Sequence, residues 1–339
     1  LNALQWDGTE RIRFCLHRFL GSDTDDYTYE ALKLFLLGAI SRAFKPGCKF
    51  EVMLCLVGGQ GAGKSSFFRL LAVNDDWFSD DLKKLDDENV YRKMQGHWII
   101  EMSEMIATAN AKSIEEIKSF LSRQKETYKI PYETHPADRK RQCVFGGSSN
   151  TLDFLPLDRT GNRRFVPVMV YPERAEVHIL ADEQASREYI NQMWAEAMEI
   201  YRSGNFRLRF SPAMNDYLKA HQKDFMPEDT KAGQILDYLE RYSGSIVCSK
   251  QLYKEALGHD YDEPKQWELR EINDIMNNAV TGWRAFSNPR YFPEPYRRQK
   301  GWERIRNDNE PDNSMDGFQE IPTEEMEQLG LPEEWLKQK

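Results

Sequence analysis

Val52-Met53-Leu54-Cys55-Leu56-Val57-Gly58-Gly59-Gln60-Gly61-Ala62-Gly63-Lys64-Ser65 is an apolar run that breaks into glycines and ends on a lysine and a serine. From Gly58 onward it fits the G-x-x-x-x-G-K-[ST] pattern, in which a curled backbone turns successive N–H groups toward phosphate oxygens. In that reading Lys64 supplies a fixed positive charge for the outer phosphates and the Ser65 hydroxyl faces Mg²⁺. Ser66 to Leu71 has helical apolar spacing and no breaker, so the loop also opens a helix N-terminus, where anions are favoured. The nucleotide-binding set predicted here is Gly58, Gly59, Gln60, Gly61, Ala62, Gly63, Lys64, Ser65 and Ser66. A chance match in a glycine-rich turn would lack the flanking strand and helix.

The surrounding sequence repeats this alternation. Residues 52–57, 97–101, 143–147 and 165–170 read as short strands, and 64–72 and 112–122 as helices, the order of a parallel-sheet α/β domain. Residues 1–45 read as an N-terminal helical region that stops at Pro46-Gly47. The boundaries expected are 1–45 helical, 46–172 core, 173–230 helical connector, 231–307 a last compact unit and 308–339 an acidic, loosely held tail. In the last unit, helical spacing at Ile235-Leu239, Leu252-Leu257 and Ile272-Met276 precedes a hairpin around Trp283–Trp302. That pattern suggests a winged helix, or alternatively a helical bundle capping the core.

Composition narrows the possible partners. With 339 residues, 40% apolar and 30% charged, the chain is long enough for two or three domains, and its net charge of −9 confines any nucleic-acid contact to local patches. Five cysteines without metal spacing read as reduced thiols in a cytoplasmic protein. No apolar run reaches the length of a membrane span. The start at Leu1 suggests an excised domain or a missing upstream segment.

Hydrolysis of a nucleotide needs an acid to organise Mg²⁺ and a group to orient water. His97-Trp98-Ile99-Ile100-Glu101-Met102-Ser103-Glu104 offers both: a strand ending on a carboxylate puts Glu101 at the ligand-binding edge of an open α/β sheet as the metal-side acid, with Glu104 as general base. The plainer reading makes both solvated carboxylates beyond a buried strand. Asn150, after Val144–Ser149, is a candidate for holding the attacking water or the γ-phosphate, or else a turn residue. Arg163 and Arg164 open the next strand as surface charge, or as arginines that reach a neighbouring subunit's nucleotide.

Lys125 to Arg141 alternates Tyr128, Ile130 and Tyr132 and turns near Pro136, a hairpin. Residues 118–145 hold seven Lys or Arg against three Asp or Glu, a local charge of about +4. A solvated hairpin whose charges guard its edges is the alternative. A second basic patch, Arg290, Arg297, Arg298, Lys300, Arg304 and Arg306, could hold duplex DNA or equally face another subunit.

Taken in order, Trp6-Asp7-Gly8, Pro46-Gly47-Cys48-Lys49, the glycine loop, Glu101 to Glu104, Pro131-Tyr132, Asn150, Gly161 to Phe165 and Arg298 to Trp302 resemble virulence-associated protein E. That family of phage- and island-encoded P-loop ATPases is similar to superfamily 3 replicative helicases. The resemblance implies an AAA+-like core, ATP and Mg²⁺ as cofactors, and a homo-oligomeric, hexameric ring that couples ATP hydrolysis to movement on DNA. It implies a sensor role for Asn150 and an arginine finger at Arg163 or Arg164. Lys129, His135, Arg139 and Lys140 would touch the phosphates of a single strand in the channel, and a primase-like region would lie upstream. Two departures stand out: Glu126-Thr127-Tyr128-Lys129 replaces the family's Asp-x-x-Arg, and Ser149 its Thr. The alternative to a motor is a DNA-binding initiator or regulator whose nucleotide site only switches its oligomeric state.

Overall fold

The computed structural model describes residues 1–82, 85, 90–103, 111–128, 135, 137–155, 157 and 162–305. Two compact units emerge, Leu1–Thr230 and the chain from Lys231 onward.

The apolar run ahead of the glycines forms strand β1 (Met53–Val57), buried along its whole length. Burial on both faces is what a central strand of a parallel sheet requires. The remaining elements of the first unit up to that sheet's last strand are α1 (Ile12–Leu20), α2 (Asp26–Phe44), α3 (Lys64–Leu71), β2 (Phe78–Ser79), α4 (Val90–Met94), β3 (Ile99–Ser103), α5 (Ala111–Leu121), β4 (Lys125–Tyr128), β5 (Ala137–Lys140), β6 (Val144–Ser149) and β7 (Phe165–Met169). The main sheet runs β2-β3-β6-β1-β7 with every neighbouring pair parallel. β1 is thus flanked by the two strands that follow it last in sequence, and the chain departs in opposite directions from that point. Open α/β sheets form their ligand crevice at such a switch, beyond the carboxyl ends of the strands.

The alternation along β1 divides the core. Leu54 and Leu56 pack with α1, α2, α3 and a later helix, α6 (Glu183–Ser203), whereas Met53, Cys55 and Val57 pack with Ile114, Ile117 and Phe120 of α5. Helices therefore cover both faces. α6 continues to α7 (Pro212–His221). The first forty-five residues and those of α6 share one hydrophobic core, and Glu196 of α6 accepts the backbone N–H groups of Arg11 (2.6 Å) and Ile12 (3.0 Å) at the start of α1. Arg11, the residue before α1, offers no side-chain acceptor, so a carboxylate remote in sequence satisfies donors that every helix leaves open.

The strand limits differ from the sequence reading at two places that matter. β3 covers 99–103 rather than 97–101, and β6 extends to Ser149. Glu101 accordingly lies in the middle of a strand, opposite Gly146 of β6, rather than at the strand's end. A strand interior tolerates the carboxylate because two hydroxyls reach it.

The second unit holds α8 (Thr230–Arg241), β8 (Ile246–Cys248), α9 (Ser249–Gln251) continuing as a π-helical turn over Leu252–Ala256, and α10 (Gln266–Asn278). Four short strands follow, β9 (Trp283–Ala285), β10 (Arg290–Phe292), β11 (Arg297–Gln299) and β12 (Gly301–Arg304). β8, β12 and β9 form an antiparallel sheet in that order, and β10 pairs with β11 in a separate hairpin. Ile235, Leu239, Leu252, Ile272, Ile275, Met276 and Trp302 fill its core. β8 was not foreseen: Ile246-Val247-Cys248 is too short to show a strand period. Residues 308–339 of the expected tail, like Arg306, fall outside the described residues.

Candidate nucleotide and metal site

The glycine loop joins the end of β1 to the start of α3. Gly61 and Gly63 have φ of 81° and 79°, a left-handed backbone that side chains rarely accept. Gly58 answers a different need: a Cβ there would lie 2.5 Å from the carbonyl oxygen of Val170, so only glycine lets the loop leave the sheet past β7. A Cβ on Gly59 or Gly61 would meet nothing within 4 Å. The loop is therefore tight against the sheet and open on its outer side.

Lys64, nearly buried, brings its ammonium to the carbonyl oxygens of Gly58 (2.6 Å) and Gly59 (2.8 Å) and to Oδ1 of Asn150 (3.0 Å). Asn150 immediately follows β6, the neighbour of β1, and the backbone N–H of Gly58 donates to Ser149 O at 3.1 Å. Parallel pairing of β1 with β6 is thus what carries Asn150, 86 residues downstream, to the loop lysine.

Ser65 Oγ donates to Glu101 Oε1 at 2.8 Å, and Ser148 Oγ donates to the same oxygen at 2.5 Å. Glu101 is fully buried, and its Oε2 is a buried atom with no hydrogen-bond partner among the described residues. A buried carboxylate oxygen left unsatisfied costs free energy unless a cation or its water completes it. One serine hydroxyl and one carboxylate suit Mg²⁺, which keeps most of its waters and takes few protein ligands. No group of three or more His, Cys, Asp or Glu suited to a metal occurs among the described residues. Ser148 escaped the sequence reading because its hydroxyl could be assigned only once β3 and β6 were known to be neighbours. Glu104 lies outside the described residues.

Arg163 and Arg164 sit at the other end of the sheet. Arg164 O accepts the backbone N–H of Met53 at 2.7 Å, whereas Val170 N donates to Val57 O beside the glycine loop. Five to six residues of strand at about 3.3 Å each separate the two ends by about 20 Å, beyond the reach of an arginine side chain. Glu51, just ahead of β1, holds both guanidiniums: Arg163 Nη2 at 3.1 Å and Arg164 Nε at 3.6 Å. Arg164 is further tied to Ser122 Oγ at 2.9 Å and is largely covered, while the Arg163 side chain is 65% exposed.

The hairpin expected at 125–141 is present in its stem, Lys125 opposite Lys140 and Tyr128 opposite Ala137. Much of its positive charge is already used. Lys125 pairs with Asp138, Arg141 forms a buried pair with Glu126 and donates to Phe120 O at 2.7 Å, and the Arg139 guanidinium lies 5.1 Å from the centre of the Tyr128 ring. The local charge of about +4 therefore overstates what the stem presents to solvent. Glu126, in one of the two departures noted in sequence, is a buried partner of Arg141, whose bond to Phe120 O ties the stem to α5. Lys140 and His135 are exposed; Lys129 is outside the described residues. In the second unit Glu303 takes Arg284 (2.8 Å) and Arg290 (2.7 Å), and Arg304 donates to Leu239 O at 3.0 Å. Arg297 pairs with Glu294 at 3.2 Å.

None of the five cysteines is in a disulfide, and Cys15, Cys55, Cys143 and Cys248 are buried. Burial pushes the Cys248 thiol up to about 11. Among the described residues no helix is long and apolar enough to cross a membrane.

The class defined by this arrangement is a parallel α/β domain with a glycine-rich loop at its switch point. Within that class the chain belongs to the virulence-associated protein E-like domain family, whose model matches residues 1–227. It is similar in fold to an A form apo structure of the NrS-1 C-terminal region, with a TM-score of 0.53 at 13% identity, covering 89% of this chain and 78% of that one. An apo structure of the same region matches with a TM-score of 0.49 at 13% identity over 89% of this chain and 77% of that one. No curated protein matches the chain by sequence.

Proposed function

We propose that this chain is an ATP-dependent DNA translocase or helicase of a phage or mobile-element replication system, built as a homo-oligomeric, hexameric ring. One observation carries the reading: Lys64 meets Asn150 and Ser65 meets Glu101 at the carboxyl edge of the parallel sheet. A simple nucleotide-binding fold needs only the loop. The added acid and amide are the parts that phosphoryl transfer to water requires.

In this P-loop site the backbone N–H groups of Gly59 to Ser65 and the Lys64 ammonium hold the phosphates. Ser65 and Glu101 would hold Mg²⁺, which would supply positive charge to the phosphate oxygens. Glu104 accepts a proton from the attacking water, and Asn150 orients that water or the γ-phosphate. An arginine must stabilise the developing charge. Neither arginine of the pair reaches its own loop, which supports a site completed by the neighbouring subunit. Exposure favours Arg163 as that finger, and the clamp of Ser122 and Glu51 favours Arg164 as its anchor.

For the second unit, three helices with the strand order β8-β12-β9 support a winged helix. Its α10 carries Glu268, Glu271 and Asp274 against Arg270, a poor fit to a DNA groove. Arg297, Arg298 and Lys300 on the β10–β12 side are the better candidates for duplex contact.

The test is DNA-stimulated ATP hydrolysis measured alongside strand displacement. Both activities are expected, and both lost in Lys64→Ala and Glu104→Gln. Nucleotide binding without turnover on any DNA leaves a non-motor switch as the function.

A further inference from the structure

The second unit separates its charge along the chain. Residues 231–282, which include its helices, hold six Lys or Arg against nine Asp or Glu, whereas residues 283–304, which include its last four strands, hold six against two. An anionic partner is drawn to the strand side. Most of that positive charge is committed within the unit: Glu303 takes Arg284 and Arg290, Glu294 takes Arg297, and Arg304 donates to Leu239 O and Tyr242 O. Arg298 gives its Nε–H to Pro289 O at 3.4 Å, and among the described residues neither Arg298 nor Lys300 has a carboxylate partner.

Pairing in the β10–β11 ribbon decides which residues share a face. Tyr291 lies opposite Arg298, while Arg290 lies opposite Gln299 and Phe292 opposite Arg297. Phe292 is buried with Phe286 and Cys248, so its face turns inward. The other face carries Arg298 and Tyr291, 67% exposed, and strand alternation puts the exposed Lys300 at the next position of that face. Neither strand of the ribbon contains an acidic residue. A two-stranded ribbon is also an element that the major groove of a duplex admits. A single strand asks instead for successive aromatic platforms, and this face has one ring. We propose that the Tyr291–Arg298–Lys300 face grips duplex DNA without reading its sequence, each cation holding a phosphate and Tyr291 packing on the sugar backbone beside them. The inference rests on the reading of the chain as a DNA-engaging protein and deepens its duplex contact: of the six cations on the strand side, two bind and four hold the ribbon in place.

The test is binding of a mixed-sequence duplex and of its single strand, followed by anisotropy across a range of salt. Each phosphate contact contributes about 0.9 to the salt slope on a duplex, so Arg298→Ala combined with Lys300→Ala should flatten it by about two, and Arg298→Lys should keep it. Tyr291→Ala should weaken binding at every salt concentration with the slope unchanged. Arg270→Ala on α10 should bind as wild type, and A·T-rich and G·C-rich duplexes should bind alike. Melting followed by circular dichroism checks that each variant is folded. An unchanged slope in the double variant, an equal loss in Arg270→Ala, a base preference that Arg298→Ala removes, or tighter binding of the single strand overturns the ribbon grip while leaving DNA binding intact. Failure of the wild type to bind either DNA overturns both.

Discussion

Lys64 and Asn150 are in direct contact, Nζ to Oδ1 at 3.0 Å, although 86 residues of sequence separate them. On the proposed reading the lysine binds nucleotide and the amide serves the chemical step, so their variants should differ. Lys64→Ala is expected to remove ATP binding. Asn150→Ala should retain binding but lower kcat roughly a hundredfold, the size of effect seen when one donor to a developing charge is lost. An Asn150→Ala variant altered in KM alone would make the amide a ground-state ligand.

Glu101 Oε1 serves two hydroxyls while Oε2 has no hydrogen-bond partner among the described residues. Glu101→Gln should raise the Mg²⁺ concentration needed for half-maximal hydrolysis about tenfold, because a neutral amide oxygen attracts a divalent cation far less than a carboxylate. Ser148→Ala removes one hydrogen bond to a charged group and should cost about 1.5–3 kcal/mol of stability with a smaller effect on Mg²⁺ dependence. A titration in which both variants match wild type would remove Glu101 from the metal site.

The sequence made the loop with its flanking strand and helix legible because each is a local pattern, and it singled out Glu101 and Asn150, which the structure places against Ser65 and Lys64. It could not show that β3 starts two residues later than its apolar run suggests, since Trp98 is as apolar as the strand that follows. Ser148, Glu51 and Ser122 were invisible for another reason: each acts on a residue brought close only by strand order. The hairpin was legible, but counting its charges treated Arg141 as surface when Glu126 buries it.

Glu196 caps α1 from within the core, and burial there raises its pKa above the ordinary 4.5 despite the two N–H groups it accepts. A raised carboxyl binds more protons folded than unfolded between the two values, so its contribution to stability is full below 4.5 and is lost as pH rises through the folded value. Glu196→Gln keeps an acceptor and removes the ionisation. It should match wild type at low pH and be the more stable at pH 7, read by urea denaturation at both. A Gln variant less stable at pH 7 would mean that the charged cap outweighs its desolvation.

Arg163 and Arg164 share Glu51 at the end of the sheet opposite the loop, but only Arg163 is largely exposed. A finger must leave its parking place to reach the next subunit, whereas an anchor must stay. Arg163→Ala is expected to abolish turnover in homogeneous rings with little change in melting temperature, and Arg164→Ala to lower the melting temperature through loss of the Ser122 and Glu51 contacts. Mixing Arg163→Ala with Lys64→Ala subunits should restore part of the activity, because some interfaces then pair an intact loop with an intact arginine. Rescue by Arg164→Ala subunits alone would exchange the two roles. No rescue from either, in assemblies shown to be mixed, would mean that the charge on the leaving phosphoryl group is met from within the chain.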